Sequence, residues 1–214
     1  MLPHEIERES FRIIRAELGP HTFSEQELEV VVRVIHATAD FEFGRTLRFH
    51  PEALSQGVAA LRRGCAIVAD VQMVQVGISD DLLARLGGCT ICDIRQPSVA
   101  EAARQLGLTR ACVSMRRNAR HLYHGIAAIG NAPTALFEVI RLVREEDVRP
   151  ALIVGVPVGF VKAAESKDEL LSLDVPYITV IGRKGGSSVA AAIINALLRL
   201  ATANGRAAHP LDAR

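Results

Sequence analysis

The stretch Val30-Val31-Val32-Arg33-Val34-Ile35-His36 sets one arginine and one histidine inside an otherwise aliphatic run. An arginine in such surroundings needs an anionic partner. A histidine there can take up or release a proton near neutral pH. Glu29 and Asp40 fall at spacings of three or four from this pair, so a helix would carry all four along one stripe. Two readings follow. One is a proton-transferring histidine beside an anion-binding arginine; the other is an Arg–Glu pair with a hydrogen-bonded core histidine. Spacing alone favours the second.

Asp70 ends the apolar run Cys65–Ala69, and residues at strand ends contact ligands in parallel α/β sheets. Its plainer role would be to cap the short helix expected next. Three later segments, around Gly130-Asn131-Ala132-Pro133, Gly155-Val156-Pro157-Val158-Gly159 and Gly182-Arg183-Lys184-Gly185-Gly186-Ser187, each join an apolar run to a helical pattern through small residues. One such loop is ordinary turn chemistry. Three together suggest a ligand-binding edge where helix N-termini offer backbone N–H groups to anions. The loops spell neither G-x-G-x-x-G nor G-x-x-x-x-G-K-[ST], which argues against dinucleotide and nucleoside triphosphate ligands.

Other reactive types give less. His121 and His124 have i, i+3 spacing but no further ligand to complete a metal site, so they are expected on the surface or a pocket wall. Arg116-Arg117-Asn118-Ala119-Arg120 reads as a solvated basic face that could also meet a polycarboxylate. Cys89-Thr90-Ile91-Cys92 is a lone C-x-x-C on an expected strand, which would point its thiols to opposite faces. The cysteines are therefore expected to be small buried hydrophobes in a reducing compartment.

These residues must be positioned by regular elements. A helix is expected from Glu5 to Leu18, closed by Gly19-Pro20, and a second to Ala39, opened by the capping box Ser24-Glu25-Gln26-Glu27. Pro51–Arg63 and Val71–Val76 read as helical, and two helical stretches lie between Ser98 and Tyr123. Helices also follow the three loops, at Thr134–Arg144, Ala163–Leu171 and Ser188–Leu200. Five apolar strands alternate with them: Cys65–Ala69, Thr90–Ile94, Ala127–Ile129, Ala151–Val154 and Tyr177–Ile181. The expected fold is α/β: one domain over residues 1–203, a mostly parallel, roughly five-stranded sheet covered on both faces, and a tail over 204–214.

Composition narrows the partners. In 214 residues the formal charge is +1 and Trp is absent, which argues against nucleic acid and anionic membrane surfaces. Apolar types make up 49%, enough for a full core, and no apolar stretch reaches membrane-spanning length. The start Met1-Leu2-Pro3-His4-Glu5 does not read as a signal peptide, so a cytoplasmic protein is expected.

Several segments together resemble the precorrin-8X methylmutases. They are Arg33-Val34-Ile35-His36, Asp70-Val71-Gln72-Met73-Val74, Ile129-Gly130-Asn131-Ala132-Pro133-Thr134-Ala135-Leu136-Phe137, Pro157-Val158-Gly159-Phe160-Val161, Ala163-Ala164-Glu165-Ser166-Lys167 and Gly182-Arg183-Lys184-Gly185-Gly186-Ser187. The resemblance runs from about Ser10 to Leu200. It implies an isomerase of cobalamin biosynthesis that moves a methyl group from C-11 to C-12 of the macrocycle. The product would be hydrogenobyrinic acid or, for the cobalt-containing substrate, cobyrinic acid. It further implies that His36 is the acid–base residue, that Ser10 and Arg33 contact substrate, that no cofactor or protein-bound metal is needed, and that the chain forms a homodimer. Asp70, Arg116, Asn131, Thr134, Gly159, Ser166, Lys167, Gly185, Gly186 and Ser187 complete the set of candidate contacts to a carboxylate-rimmed corrinoid. The chain departs from the family after His36, where Ala37-Thr38-Ala39-Asp40 replaces the expected small-residue sequence. A non-catalytic corrinoid-binding protein is the alternative; an enzyme of phosphorylated metabolites, suggested by the loops alone, is a weaker one.

Overall fold

The computed structural model describes residues 2–203, so the tail expected from residue 204 lies outside the described residues. The strands are β1 (Leu47–Phe49), β2 (Ala66–Ala69), β3 (Cys89–Ile91), β4 (Ile126–Ile129), β5 (Leu152–Gly155) and β6 (Tyr177–Val180). They form one sheet in the order β1-β6-β5-β4-β2-β3. All neighbours are parallel except β1, which pairs antiparallel with β6 through Leu47 and Val180. The five expected strands are therefore present, and β1 is a sixth. Three residues are too few to show a period of two. The strand order reverses between β2 and β4, and the carboxyl ends of those two strands flank the switch point.

Strands β4 and β5 are buried along their whole length, with alternate residues feeding two cores. Ile67, Ala69, Ala128, Leu152 and Val154 face α2 (Glu25–Thr38), α4 (Ala53–Arg62) and α12 (Ser187–Ala203). Val68, Ala127, Ile129 and Ile153 face α8 (Arg110–Arg117), α10 (Pro133–Glu145) and α11 (Ala163–Leu170). Helix α2 is apolar almost all round because α12 packs on one side and α1 (Pro3–Leu18) on the other. Burying each of its valines contributes roughly 1.5–3 kcal/mol. Its start is the expected capping box: the Ser24 hydroxyl accepts the Glu27 amide, and Glu27 accepts the Ser24 amide. The remaining helices are short or peripheral: α3 (Phe43–Thr46), α5 (Gln72–Gly77), α6 (Asp80–Arg85), α7 (Pro97–Leu106) and α9 (Ala119–Leu122). Among the described residues, no helix is long and apolar enough to cross a membrane.

The loops at the carboxyl edge are tied to one another. The Gly186 amide donates to Val156 O at 2.9 Å, and the Gly159 amide donates to Arg183 O at 3.1 Å. Lys167, fully buried on α11, donates from Nζ to Lys184 O at 2.6 Å; burial of its ammonium lowers its pKa to about 8. The Lys184 ammonium in turn pairs with Asp40 and Glu42, just past the end of α2. Gly185 has φ +151°, and a Cβ there would lie 2.2 Å from Val156 O. Gly182 also has positive φ, at +82°, but faces open space.

On the other face, Glu138 of α10 is buried and joins α8. It accepts two hydrogen bonds from Arg116 and further ones from Arg141 and the Cys112 thiol. Burial pushes its carboxyl pKa up, but the two guanidiniums prevail and hold it at about 2.

Two stability predictions follow from these contacts. Gly185→Ala should destabilise the fold by about 3 kcal/mol or more, whereas Gly182→Ala should cost only about 1–2 kcal/mol; urea unfolding compares them. Glu138 stabilises fully above its ordinary pKa of 4.5, and that contribution is lost as pH falls towards 2. Glu138→Gln should remove about 3 kcal/mol at neutral pH and flatten the acid-side loss of stability, as read by urea unfolding at stepped pH.

Candidate functional site

His36 stands in the last turn of α2 and is exposed, so it is not a core histidine. Its ring meets Phe11 of α1 edge-on, with centroids 5.2 Å apart. Arg33, one turn earlier, lays its guanidinium over the same phenyl ring at 4.8 Å. Phe11 thus contacts both side chains on the α1 side of α2. Among the described residues, neither ring nitrogen of His36 has a hydrogen-bond partner, which leaves them accessible to a ligand.

The partners of the expected stripe differ from those its spacing suggests. Glu29 pairs with Arg15, and Arg33 pairs across to Glu7 of α1 at 3.2 Å. Asp40 lies beyond the helix, because Ala39 turns into the left-handed region at φ 52° and ends it. There Asp40 binds Lys184, so the departure after His36 joins the helix exit to the β6–α12 loop.

Arg33 and His36 border a groove of about 360 Å³ whose opposite wall is α12, with Ser188, Asn195 and Arg199. An adjoining hollow of about 720 Å³ shares Arg33 and Arg199. Ala191 and Ala192 floor the groove, and Gly77 lies so close that a Cβ on it would be 2.7 Å from that of Ala191. Asn195 fixes the end wall: it accepts the Ser79 amide and donates to Gly77 O, each at 2.8 Å. The groove is electropositive. Glu7 is the shared counter-charge, 3.2 Å from Arg33 and 3.9 Å from Arg199. Burial, and then the Arg199 charge, lowers the pKa of Arg33. The first turn of α12 opens beside Ser188, adding backbone N–H groups and the positive end of the helix. Sequence reasoning missed Ser188, Asn195 and Arg199, although their spacings of seven and four put them on one face of an Ala-rich helix.

The other candidates have varied surroundings. Ser10 is half-buried on α1, one turn after Glu7. Ser187 opens α12 next to Ser188. Gly159, Gly185, Gly186 and Lys167 form the loop framework itself. Ser166 is fully buried, and its hydroxyl donates back to Ala163 O. Asn131 is exposed at the start of the β4–α10 loop. Thr134 and Arg116 lie with the helices of the other face, where Thr134 meets Thr109 at 2.7 Å and Arg116 is engaged by Glu138. Both Thr134 and Glu138 border a separate hollow of about 470 Å³.

Three expectations are corrected. Asp70 does not cap α5, whose N-cap is Val71; instead its carboxylate accepts the amides of Gly130, Asn131 and Ala132. Those three amides, with Gly159 and Gly186, are therefore already paired within the protein, so the anion-receptive edge is narrower than three open loops. His121 and His124, at the end of α9 and just past it, do line a surface hollow, as expected of them. Cys89 is exposed and Cys65 and Cys92 are half-buried, so the cysteines are not uniformly core residues. Burial raises the Cys65 and Cys112 thiols to about 11. Among the described residues, no group of three or more His, Cys, Asp or Glu could hold a metal ion.

The sequence and fold have close counterparts in known proteins. The cobalt-precorrin-8 methylmutase of Priestia megaterium is 52% identical over 199 residues, 93% of this chain and 88% of that one. The cobalt-precorrin-8 methylmutase of Leptospira interrogans is 48% identical over 212 residues, 95% of this chain and 96% of that one. The solved structure of precorrin-8X methylmutase from Thermus thermophilus superposes with a TM-score of 0.88 at 39% identity, covering 96% of this chain and all of that one. The family model for precorrin-8X methylmutase (CbiC) matches residues 5–200, and the chain belongs to that family.

Proposed function

We propose that this chain isomerises precorrin-8X, or its cobalt form, by moving the methyl group from C-11 to C-12, with His36 as the acid–base residue. The observation that carries this reading is His36 itself: exposed, held by Phe11 and without a hydrogen-bond partner among the described residues, at the rim of an electropositive groove. A methyl shift within one molecule needs no second reactant. Protonating the conjugated ring system lowers the barrier to migration, and one positioned proton donor is sufficient. The substrate's acetate and propionate arms require cations and amides around an apolar plane. Arg33, Arg199 and the α12 N-terminus supply the first two, with Ser10 and Ser187 as nearby hydroxyls. Asn131 and Thr134 are candidate contacts for arms on the far side of the ring.

The large ligand also needs an apolar seat wider than the groove. Met73, Val76, Phe160 and Val161, on α5 and the β5–α11 loop, are all strongly exposed. They would serve a macrocycle, the second copy of a homodimer, or both.

Anaerobic incubation with precorrin-8X, followed by absorbance, should show conversion to hydrogenobyrinic acid. His36→Ala should lower kcat by roughly 10²–10⁴-fold while product binding is kept. Arg33→Met should instead raise KM roughly tenfold or more. Unchanged turnover by His36→Ala would remove the acid–base role, and product binding without turnover by the wild type would make the chain a corrinoid-sequestering protein.

A further inference from the structure

Asp70 is fully buried at the carboxyl end of β2, on the switch point of the sheet. Open parallel sheets take up ligands at this point, often through amides at the start of a helix. Here the place is filled from within. Asp70 Oδ1 accepts the Gly130 amide at 3.1 Å, and Oδ2 accepts those of Asn131 and Ala132 at 2.8 and 2.7 Å. Among the described residues, no cation pairs with it. A buried charge needs such bonds to persist, and backbone amides offset its burial only in part, so the carboxyl pKa stays raised.

The cradle is joined to the groove by close backbone contact. A Cβ on Gly130 would lie 2.7 Å from Ser187 Cα and 2.9 Å from Gly186 O. Gly130, held by Asp70, is thus the surface against which the first turn of α12 rests. The next residue of that turn, Ser188, lines the same groove as His36.

We propose that Asp70 is a positioning residue: a built-in carboxylate that fills the amide cradle at the switch point and, through Gly130, sets the α12 N-terminus where it receives a carboxylate arm of the ligand. The cradle stands independently of the ligand's identity, whereas the consequence for ligand binding rests on the proposed corrinoid chemistry.

Asp70→Ala removes the carboxylate and leaves a space that formate fits. In this variant, millimolar sodium formate should raise the melting temperature in a saturable manner, compared with sodium chloride at equal ionic strength. The wild type should show no such difference. Affinity for hydrogenobyrinic acid should fall roughly tenfold or more in Asp70→Ala and recover along the same formate titration. Asp70→Asn fills the space but turns an N–H₂ towards the amides, so it should bind product weakly and ignore formate. Where Asp70→Ala does not fold in chloride, refolding yield in formate against chloride gives the same readout. Absence of any formate-specific response would overturn the cradle. Formate that restores the fold but not product affinity would overturn the positioning role. A wild type that does not bind hydrogenobyrinic acid would instead sink the corrinoid reading, with the formate response intact.

Discussion

The groove depends on how closely helix α12 approaches the backbone around it. Gly77 meets Ala191 and Gly130 meets Ser187 at distances that leave no room for a larger residue, and Gly57 lies in ordinary contact with Leu197. These contacts seat α12 between the sheet, α4, α5 and α2. A helix of small residues can pack at this range because it brings little side-chain bulk to the interface. The result is a long, buried rod with one polar stripe, Ser188, Asn195 and Arg199, and that stripe is the wall opposite His36. Loosening any of these glycine contacts would move the wall without touching the histidine.

Electrostatics divide the carboxyl edge into an inner and an outer zone. In the inner zone, polar groups are paired within the protein. Asp70 takes the β4–α10 amides, Lys167 takes a carbonyl of the β6–α12 loop, and Gly159 and Gly186 bond across loops. In the outer zone, Arg33 and Arg199 share one carboxylate, Glu7, at unequal distances. Two cations on one anion leave net positive charge at the mouth of the groove. The free positive charge of this edge therefore lies in the outer zone, at Arg33, Arg199 and the start of α12, and not at amides already engaged.

Much of the fold was legible because its signals are long and local. The capping box at Ser24, Pro133 at the start of α10, and the continuous apolar runs of β4 and β5 each fix an element by local chemistry. Strand β1 was not legible. Leu47-Arg48-Phe49 becomes a strand only because β6 offers an open edge, a tertiary fact that no local pattern carries. Strand β3 shows the converse. Thr90–Ile94 reads as apolar, but the paired segment is Cys89–Ile91, and the chain leaves the ladder after Ile91 opposite Val68.

The candidate site was legible in the placement of Arg33 and His36 on α2 and not in their partners. Spacing placed Arg33 and His36 on one face of α2 but could not say what that face meets. The apolar residues around them imply burial, yet burial of a helix on two sides leaves a seam between the packing elements, and Arg33 and His36 occupy that seam. Phe11 explains why they stay there: one aromatic side chain from α1 receives the guanidinium over its ring and meets the imidazole at right angles. The same geometry accounts for the failure of the Glu29 pairing. Glu29 is held by Arg15, while Glu7 reaches Arg33 from the packed helix. An arginine with a cross-helix partner at its tip keeps a fixed direction, whereas a pair within one helix would have lain flat along α2 and away from the groove. The interhelix packing that hides the partners from the sequence is thus what sets both side chains at the groove.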